Sequence, residues 1–368
     1  MSSPTVAILV RTKDRPRFLS RALENIAQQT FTDYTVCVIN DGGDEQATCA
    51  VIEASPLGLL GSNAQDSSRV QLLTTVSGNM EAASNAGLAA TTSEYVAIHD
   101  DDDLWAPEFL ERTVAALEES GALMCTTRVV ERYERENADG EFEVYEERIF
   151  HDGLPGMGLQ FLFRTNRAVP IGILYRRSLH ELVGFYDESL PVVGDWEFNM
   201  RAASVADILL VDEPLAYWSL RPDAEGAEAN SVKRQADHAR FDSLVRARAI
   251  REDLQAGARP GAYLYQAHLA ADLERRVIDG HDLTRESLDI LRSMRAAWNV
   301  SRPVSRVLRS VCGFSSTCAP RAARCVPWRS VPSASVLRLV AVLRMVLPAR
   351  RAHSHDGEQS FFYSTAYY

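Results

Sequence analysis

The sequence predicts an α/β protein built on a mainly parallel sheet, with a helical C-terminal extension. Three observations lead there. First, short apolar, β-branched runs alternate with helix-periodic stretches through the first 120 residues. This is the pattern of βαβ units, whose right-handed crossovers place helices on both faces of a sheet. Second, polar clusters follow three of the predicted strands, at Arg11 to Arg15, Asn40 to Asp44 and Asp100 to Asp103. Ligands of such sheets bind outside the carboxyl ends of the strands, where these clusters lie. Third, a composition of 46% hydrophobic and 24% charged residues is that of a globular chain able to bury a sizeable core.

The elements follow in order. Val6 to Val10 reads as a buried strand. Pro16 to Gln29 carries Leu19, Ala22, Leu23 and Ile26 at helical spacing, and Pro16 suits a first turn, where its missing N–H costs nothing. Tyr34 to Ile39 is a second strand, closed by the Asn40-Asp41-Gly42-Gly43 turn. A helix over Glu45 to Ala54, a strand over Val70 to Thr74, a small-residue helix over Glu81 to Ala90 and a strand over Tyr95 to Ile98 come next, then a helix over Pro107 to Ser120. Beyond Leu123 the pattern changes. Arg128 to Phe150 alternates like a strand pair or exposed ribbon, Val169 to Arg176 is a strand, and short helices are expected near Ser178 to Val183 and from Gly194 to Ala203. Residues 235–256 and 262–298 read as long amphipathic helices. The expected organisation is a body over 1–225, divided into 1–120 and 121–225, a helical extension over 226–300 and a tail over 301–368.

The net charge of −11 conceals an asymmetry. Ten arginines and no acidic residue lie between 300 and 355, leaving 29 basic against 48 acidic residues before position 300. An acidic body makes nucleic acid an unsuitable partner. The tail's Val336 to Leu347 run, apolar with Arg338 and Arg344, reads as a membrane-surface helix attracted to anionic lipid, as a terminal helix packed on the acidic body, or as a partner-binding segment. No run of 18 apolar residues crosses a membrane and the first residues lack a signal-peptide pattern, so the expected location is cytoplasmic, with peripheral contact at the inner face of the membrane through the tail. The six cysteines form no CxxC pair; Cys37 and Cys125 read as small core residues.

The sharpest chemical feature is the run Asp100-Asp101-Asp102-Asp103 after the Tyr95 to Ile98 strand. Adjacent carboxylates repel and are tolerated only when solvated or neutralised. Oxygen ligands at a strand end suit Mg²⁺ or Mn²⁺. The alternative is a solvated acidic turn ahead of the helix near Pro107.

Three blocks make the chain resemble the family 2 glycosyltransferases of GT-A fold. They are Val10 to Arg15 with Gln28-Gln29-Thr30-Phe31, Val38 to Asp44, and Ile98 to Trp105, the family's DxD segment; Gly78 and Asn85-Ala86-Gly87 match the intervening helix. The blocks fall in the family's order over residues 5–120. The resemblance implies a nucleotide-sugar site in residues 1–120 and an acceptor and catalytic part in 121–225. It implies that the loop with Arg11, Thr12, Asp14 and Arg15 flanks the nucleobase, that Asp41 accepts a hydrogen bond from it, and that Gly78 and Asn85 lie beneath the donor. Asp100 and Asp101 would line the donor site, with Asp100 facing the ribose, and Asp102 would hold Mn²⁺ or Mg²⁺. Arg11 and Lys13 stand where many members have a proline and an aromatic, so base stacking in this loop is not expected. Gly194-Asp195 resembles the family's acidic catalytic site, making Asp195 the general base; an N-cap aspartate is the alternative. Arg221 reads as a surface arginine, with a phosphate contact as the other reading. The implied reaction is inverting transfer of a sugar from a nucleoside-diphosphate sugar, a UDP-sugar by default, to a glycan or lipid-linked hydroxyl in bacterial surface polysaccharide or glycolipid synthesis. The competing functions are a nucleotidyltransferase, which would want a Gly-rich, lysine-bearing phosphate loop that is not evident, and a non-catalytic nucleotide-sugar or glycan-binding module.

Overall fold

The computed structural model describes residues 5–58, 69–226 and 235–278. The strands are β1 (Val6–Thr12), β2 (Tyr34–Asp41), β3 (Val70–Thr75), β4 (Tyr95–Ile98), β5 (Leu104–Trp105), β6 (Met124–Glu136), β7 (Phe142–Ile149), β8 (Ile173–Arg176) and β9 (Ile208–Leu220). The helices are α1 (Pro16–Ala27), α2 (Glu45–Ala54), α3 (Met80–Ala89), α4 (Phe109–Ser120), α5 (Leu159–Leu162), α6 (Leu179–Val183), α7 (Gly194–Val205), α8 (Gln235–Gln255) and α9 (Gly261–Ile278).

The nine strands of the described residues join one sheet in the order β3-β2-β1-β4-β8-β6-β9-β5, with β7 pairing β6. The β3-β2-β1-β4 half is parallel, as expected of βαβ units. Beyond β4 the sheet is mixed: β8 runs antiparallel to β4 and β6, while β6 and β9 run parallel to each other. Two strands come from regions the sequence pattern passed over. The two-residue β5 forms directly after the acidic run, and β9 runs antiparallel to it. β6 begins at Met124, four residues before the expected ribbon, and pairs with β7 as a hairpin over Val130 to Glu136. Part of the predicted strand over 169–176 is a 3-10 turn at Pro170–Gly172, where proline fixes the turn.

β1 alternates its side chains between two cores. Val6, Ile8 and Val10 face a cluster with Leu19 and Leu23 of α1 and with Trp105, whereas Leu9 faces Ile39, Val96 and Phe198. α3 packs closely on the second face: a Cβ at Gly87 would lie 2.9 Å from Ile39 Cδ1. α2 and α3 start on side-chain caps, with Asp44 accepting from the Ala47 amide and Asn79 from the Ala82 amide, each at 2.9 Å. α4 ends on Gly121 in the left-handed conformation at φ 69°, a position suited to glycine. Cys37 and Cys125 are buried, as small core residues.

The chain divides into two compact units, residues 1–256 and 257–364 apart from the last residues. α8 belongs to the first, where Val245 packs with Leu190 and Trp196. α9 is the described part of the second, with Leu264 and Tyr265 exposed. The helix expected to reach 298 is described to Ile278; its remainder and the basic tail lie outside the described residues. Among the described residues no helix is long and apolar enough to cross a membrane.

Candidate active site

The acidic run leaves β4 at the carboxyl edge of the parallel half and is buried: Asp101, Asp102 and Asp103 are 2%, 8% and 4% exposed. The solvated-turn reading is thereby overturned. Packing fixes both ends of the run. The buried His99 sets its Nδ1 2.9 Å from the Asp100 carbonyl. Trp105 donates its indole N–H to the Ile171 carbonyl at 2.6 Å and its amide to Asn25 Oδ1 at 2.8 Å.

Each of the four carboxylates is held, and Asp101 and Asp102 share Arg15. Arg11, at the end of β1, makes a two-pronged contact with Asp100 at 2.6 to 2.8 Å. Thr12 Oγ donates to Asp101 Oδ2 at 2.8 Å, and Arg15 Nη1 donates to Asp101 Oδ1 at the same distance. Arg15 Nη2 donates at 2.9 Å to Asp102 Oδ2, an oxygen that Arg221 also grips. Asp103 accepts the Ser219 amide at 2.8 Å. The run is therefore neutralised largely by the chain's own arginines, so charge repulsion alone does not require a metal ion. Burial pushes Asp101 up to about 7 despite Arg15. Burial would raise Asp102 too, but Arg15 and Arg221 outweigh it and hold that carboxyl below the usual carboxylate range.

Arg221 is 2% exposed, which corrects the surface reading. Its guanidinium lies over the Phe18 ring, 4.5 Å from the centroid, beside that of Arg15 at 4.4 Å. It also reaches Glu134 of β6, a buried carboxylate bound by Arg21 at 2.5 Å.

Arg11, Thr12, Arg15 and the four aspartates line a cleft of about 250 Å³ that also contains Lys13, Asp41 and Trp218, with Arg221 behind Asp102 and outside the wall. Asp41 Oδ1 accepts from the Ser77 amide at 2.6 Å, the Ser77 hydroxyl at 2.7 Å and the Gly78 amide at 3.3 Å. Gly78, at φ 86°, thus turns the chain so that its amide reaches Asp41, and it is not itself part of the cleft wall. Asp14 and Asn85 also lie outside the wall. Asp14 accepts the Asp44 amide at 2.9 Å and braces one loop on the next. Asn85 fastens α3 to the segment before α7 through the Tyr186 backbone and Glu188.

Asp195 occupies an adjoining recess of about 70 Å³, which shares Arg11, Asp100, Asp103 and Trp218 with the cleft. It does not cap its helix: the N-cap is Val193, held at φ 61°, and Asp195 follows one residue into α7. Its Oδ2 accepts from Asn166 Nδ2 at 2.7 Å. A helix start should lower its pKa, yet burial dominates and raises it above the ordinary carboxylate value, against the Trp196 amide, Asn166 and Arg11. Glu197 points elsewhere and pairs with Arg201 at 2.7 Å. His238 of α8 and Glu81 of α3 also line this recess.

Residues 7–182 match the sequence model of the family described as Glycosyl transferase family 2. They form a family 2 glycosyltransferase domain. The chain is similar to the Bacillus subtilis (strain 168) protein named Uncharacterized glycosyltransferase YwdF, with 27% identity over 54% of this chain and 68% of that one. It is similar to the PGL/p-HBAD biosynthesis glycosyltransferase of Mycobacterium bovis (strain BCG / Pasteur 1173P2), with 26% identity over 55% of this chain and 72% of that one. Among solved structures, S. aureus TarS 1-349 in complex with UDP-GlcNAc aligns at a TM-score of 0.47 and 18% identity, covering 66% of each chain. The family matched by residues 7–182 is the one the sequence blocks resemble.

The acidic cleft can be weighed against a divalent cation. Among the described residues no three His, Cys, Asp or Glu side chains converge as a ready cage. Mg²⁺ characteristically needs less from protein, taking one or two carboxylates and completing its shell with substrate phosphates and water. Asp102, on the cleft wall, suits that arrangement. The residues around the cleft and recess that sequence reasoning did not single out are Glu81, Glu134 and His238. Glu81 reads as an ordinary first-turn acid, and the others come from segments with no motif of their own.

Proposed function

We propose that this glycosyltransferase moves a sugar from a nucleoside-diphosphate sugar, with UDP-sugars favoured, onto a hydroxyl of a glycan or lipid-linked acceptor, inverting the anomeric carbon. A role in bacterial surface polysaccharide or glycolipid synthesis is part of this proposal. The observation that carries it is the half-buried Asp195 in a recess that shares Arg11, Asp100, Asp103 and Trp218 with the arginine-rich and aspartate-rich cleft.

In this reading Asp41 and the Arg11 to Arg15 loop take the nucleoside. Arg15 and Arg221 present positive charge to the diphosphate. Asp102 would hold Mn²⁺ or Mg²⁺, which when bound supplies Lewis-acid stabilisation to the departing diphosphate. Asp195 accepts the proton of the attacking hydroxyl. Its raised pKa makes it a better base than an ordinary aspartate, because proton transfer is most effective when the pKa lies near the operating pH. One carboxylate in that position suits a single displacement, whereas double displacement would need a separate nucleophile.

A thermal-shift panel of UDP, GDP, CDP, dTDP and ADP, with and without Mn²⁺, tests the reading. UDP with Mn²⁺ should raise the melting temperature of wild type and of Asp195→Asn, and not that of Asp102→Ala. A nucleotide at one hundred times its Kd stabilises by about 2.7 kcal/mol, a clear signal. A wild type indifferent to every nucleotide overturns the donor site.

A further inference from the structure

One buried acid has no role so far. Glu81 sits in the first turn of α3, 3% exposed, with its Oε2 buried and lacking any hydrogen-bond partner among the described residues. The neighbouring Arg11 is directed to Asp100 and Ser84 instead. The position of Glu81 is enforced from the other side. A Cβ at Gly194 would lie 2.3 Å from Glu81 Cγ and 2.3 Å from Oε1, so any side chain at the first residue of α7 would displace the Glu81 side chain from this position. The result is a carboxyl group wedged beside Asp195, in the recess between that residue and the donor cleft.

A buried polar atom without a partner is destabilising, and native structures rarely keep one without a use. Glu81 lines the recess that shares Arg11, Asp100, Asp103 and Trp218 with the cleft. If the diphosphate lies against Arg15 and Arg221 and the acceptor hydroxyl meets Asp195, the transferred sugar must pass between them, along the recess. We propose that Glu81 recognises the transferred sugar, its unpartnered carboxyl oxygen forming a hydrogen bond with one of that sugar's hydroxyls. The inference rests on the donor-site reading and adds the group that distinguishes one sugar from another. Burial pushes the Glu81 carboxyl up to about 8, against the effect of Arg11, so near neutral pH it carries a proton. A neutral carboxyl both donates and accepts, matching a hydroxyl, which does the same.

The test is titration calorimetry on wild type, Glu81→Gln and Glu81→Leu, using UDP, UDP-glucose and UDP-GlcNAc, and GDP with GDP-mannose. Glu81→Leu should leave the affinity for the bare nucleotide unchanged and weaken the sugar nucleotide by 10- to 100-fold, the loss expected for one buried hydrogen bond. Glu81→Gln, which keeps a donor and an acceptor, should lose less. Equal losses for nucleotide and sugar nucleotide would assign Glu81 a purely structural role and overturn the proposal. So would unchanged binding of every sugar nucleotide by Glu81→Leu. Failure of UDP, GDP, CDP, dTDP and ADP alike to bind wild type would be a different result: it removes the donor site, and this inference falls with it.

Discussion

Replacing Glu81 by glutamine should stabilise the protein, and the gain should depend on pH. The folded carboxyl titrates at about 8 against an ordinary 4.5, because burial disfavours its charged form. Below pH 4.5 it is protonated whether folded or unfolded and costs nothing. Between 4.5 and 8 the unfolded chain releases the proton while the folded chain keeps it. Each tenfold difference in proton affinity is worth about 1.4 kcal/mol, so wild type loses about 3 kcal/mol to this group by pH 7 and about 5 kcal/mol above pH 9. Glutamine carries no such penalty. For a unit of this size, 3 kcal/mol corresponds to roughly 6–12 °C in melting temperature. Urea titrations of wild type and Glu81→Gln at pH 4.5 and pH 8 measure it. The difference between the two proteins should be small at the lower pH and reach several kcal/mol at the higher. A difference independent of pH would refute the reasoning, because it would mean that the buried carboxyl is already charged or already solvated.

Three further outcomes follow from the same geometry. Asp195→Asn should lower kcat by on the order of 100- to 10,000-fold while leaving nucleotide binding intact, and wild-type activity should fall on acidification at a pH above the ordinary aspartate range, since the base works only when deprotonated and burial raises its pKa; a pH–rate profile checks both. Gly194→Ala should cost about 1–3 kcal/mol through the 2.3 Å approach to Glu81, and Glu81→Ala in the same chain should recover much of it, as measured by a double-mutant cycle of melting curves. Arg21→Ala should cost about 3–5 kcal/mol in urea unfolding, because it removes the nearer partner of the buried Glu134 carboxylate.

The parallel half of the sheet was legible because β1, β2 and β4 are continuous apolar runs, as strands covered on both faces must be. β9 was not, because Asp212, Glu213 and Pro214 interrupt its 13 residues where the pairing with β6 shifts register, leaving no sustained alternation to read. On the site, the Arg11 to Arg15 loop and Asp100 to Asp103 could be placed together because both follow strands that pair directly. Asp195 could be named from its motif but not its environment: a helix start suggested a lowered pKa, and only the packed structure revealed that burial prevails. Glu81, Arg221 and His238 are single residues whose meaning depends on what folds against them. No local pattern distinguishes Glu81 from a solvent-facing helical acid.

The grip on Asp102 has a consequence for how the protein is made. Its two arginines lie 87 residues before it and 119 residues after it along the chain. A chain emerging from the ribosome carries Arg15, β1, β2 and β4 well before Arg221. The second counter-charge of Asp102 arrives once β9 has threaded in beside β6 and delivered Arg221. Long-range closures of this kind are slow steps of folding. The surroundings of Asp102 thus cannot be completed before residue 221 has emerged, and a nascent chain arrested short of it would lack the Arg221 contact.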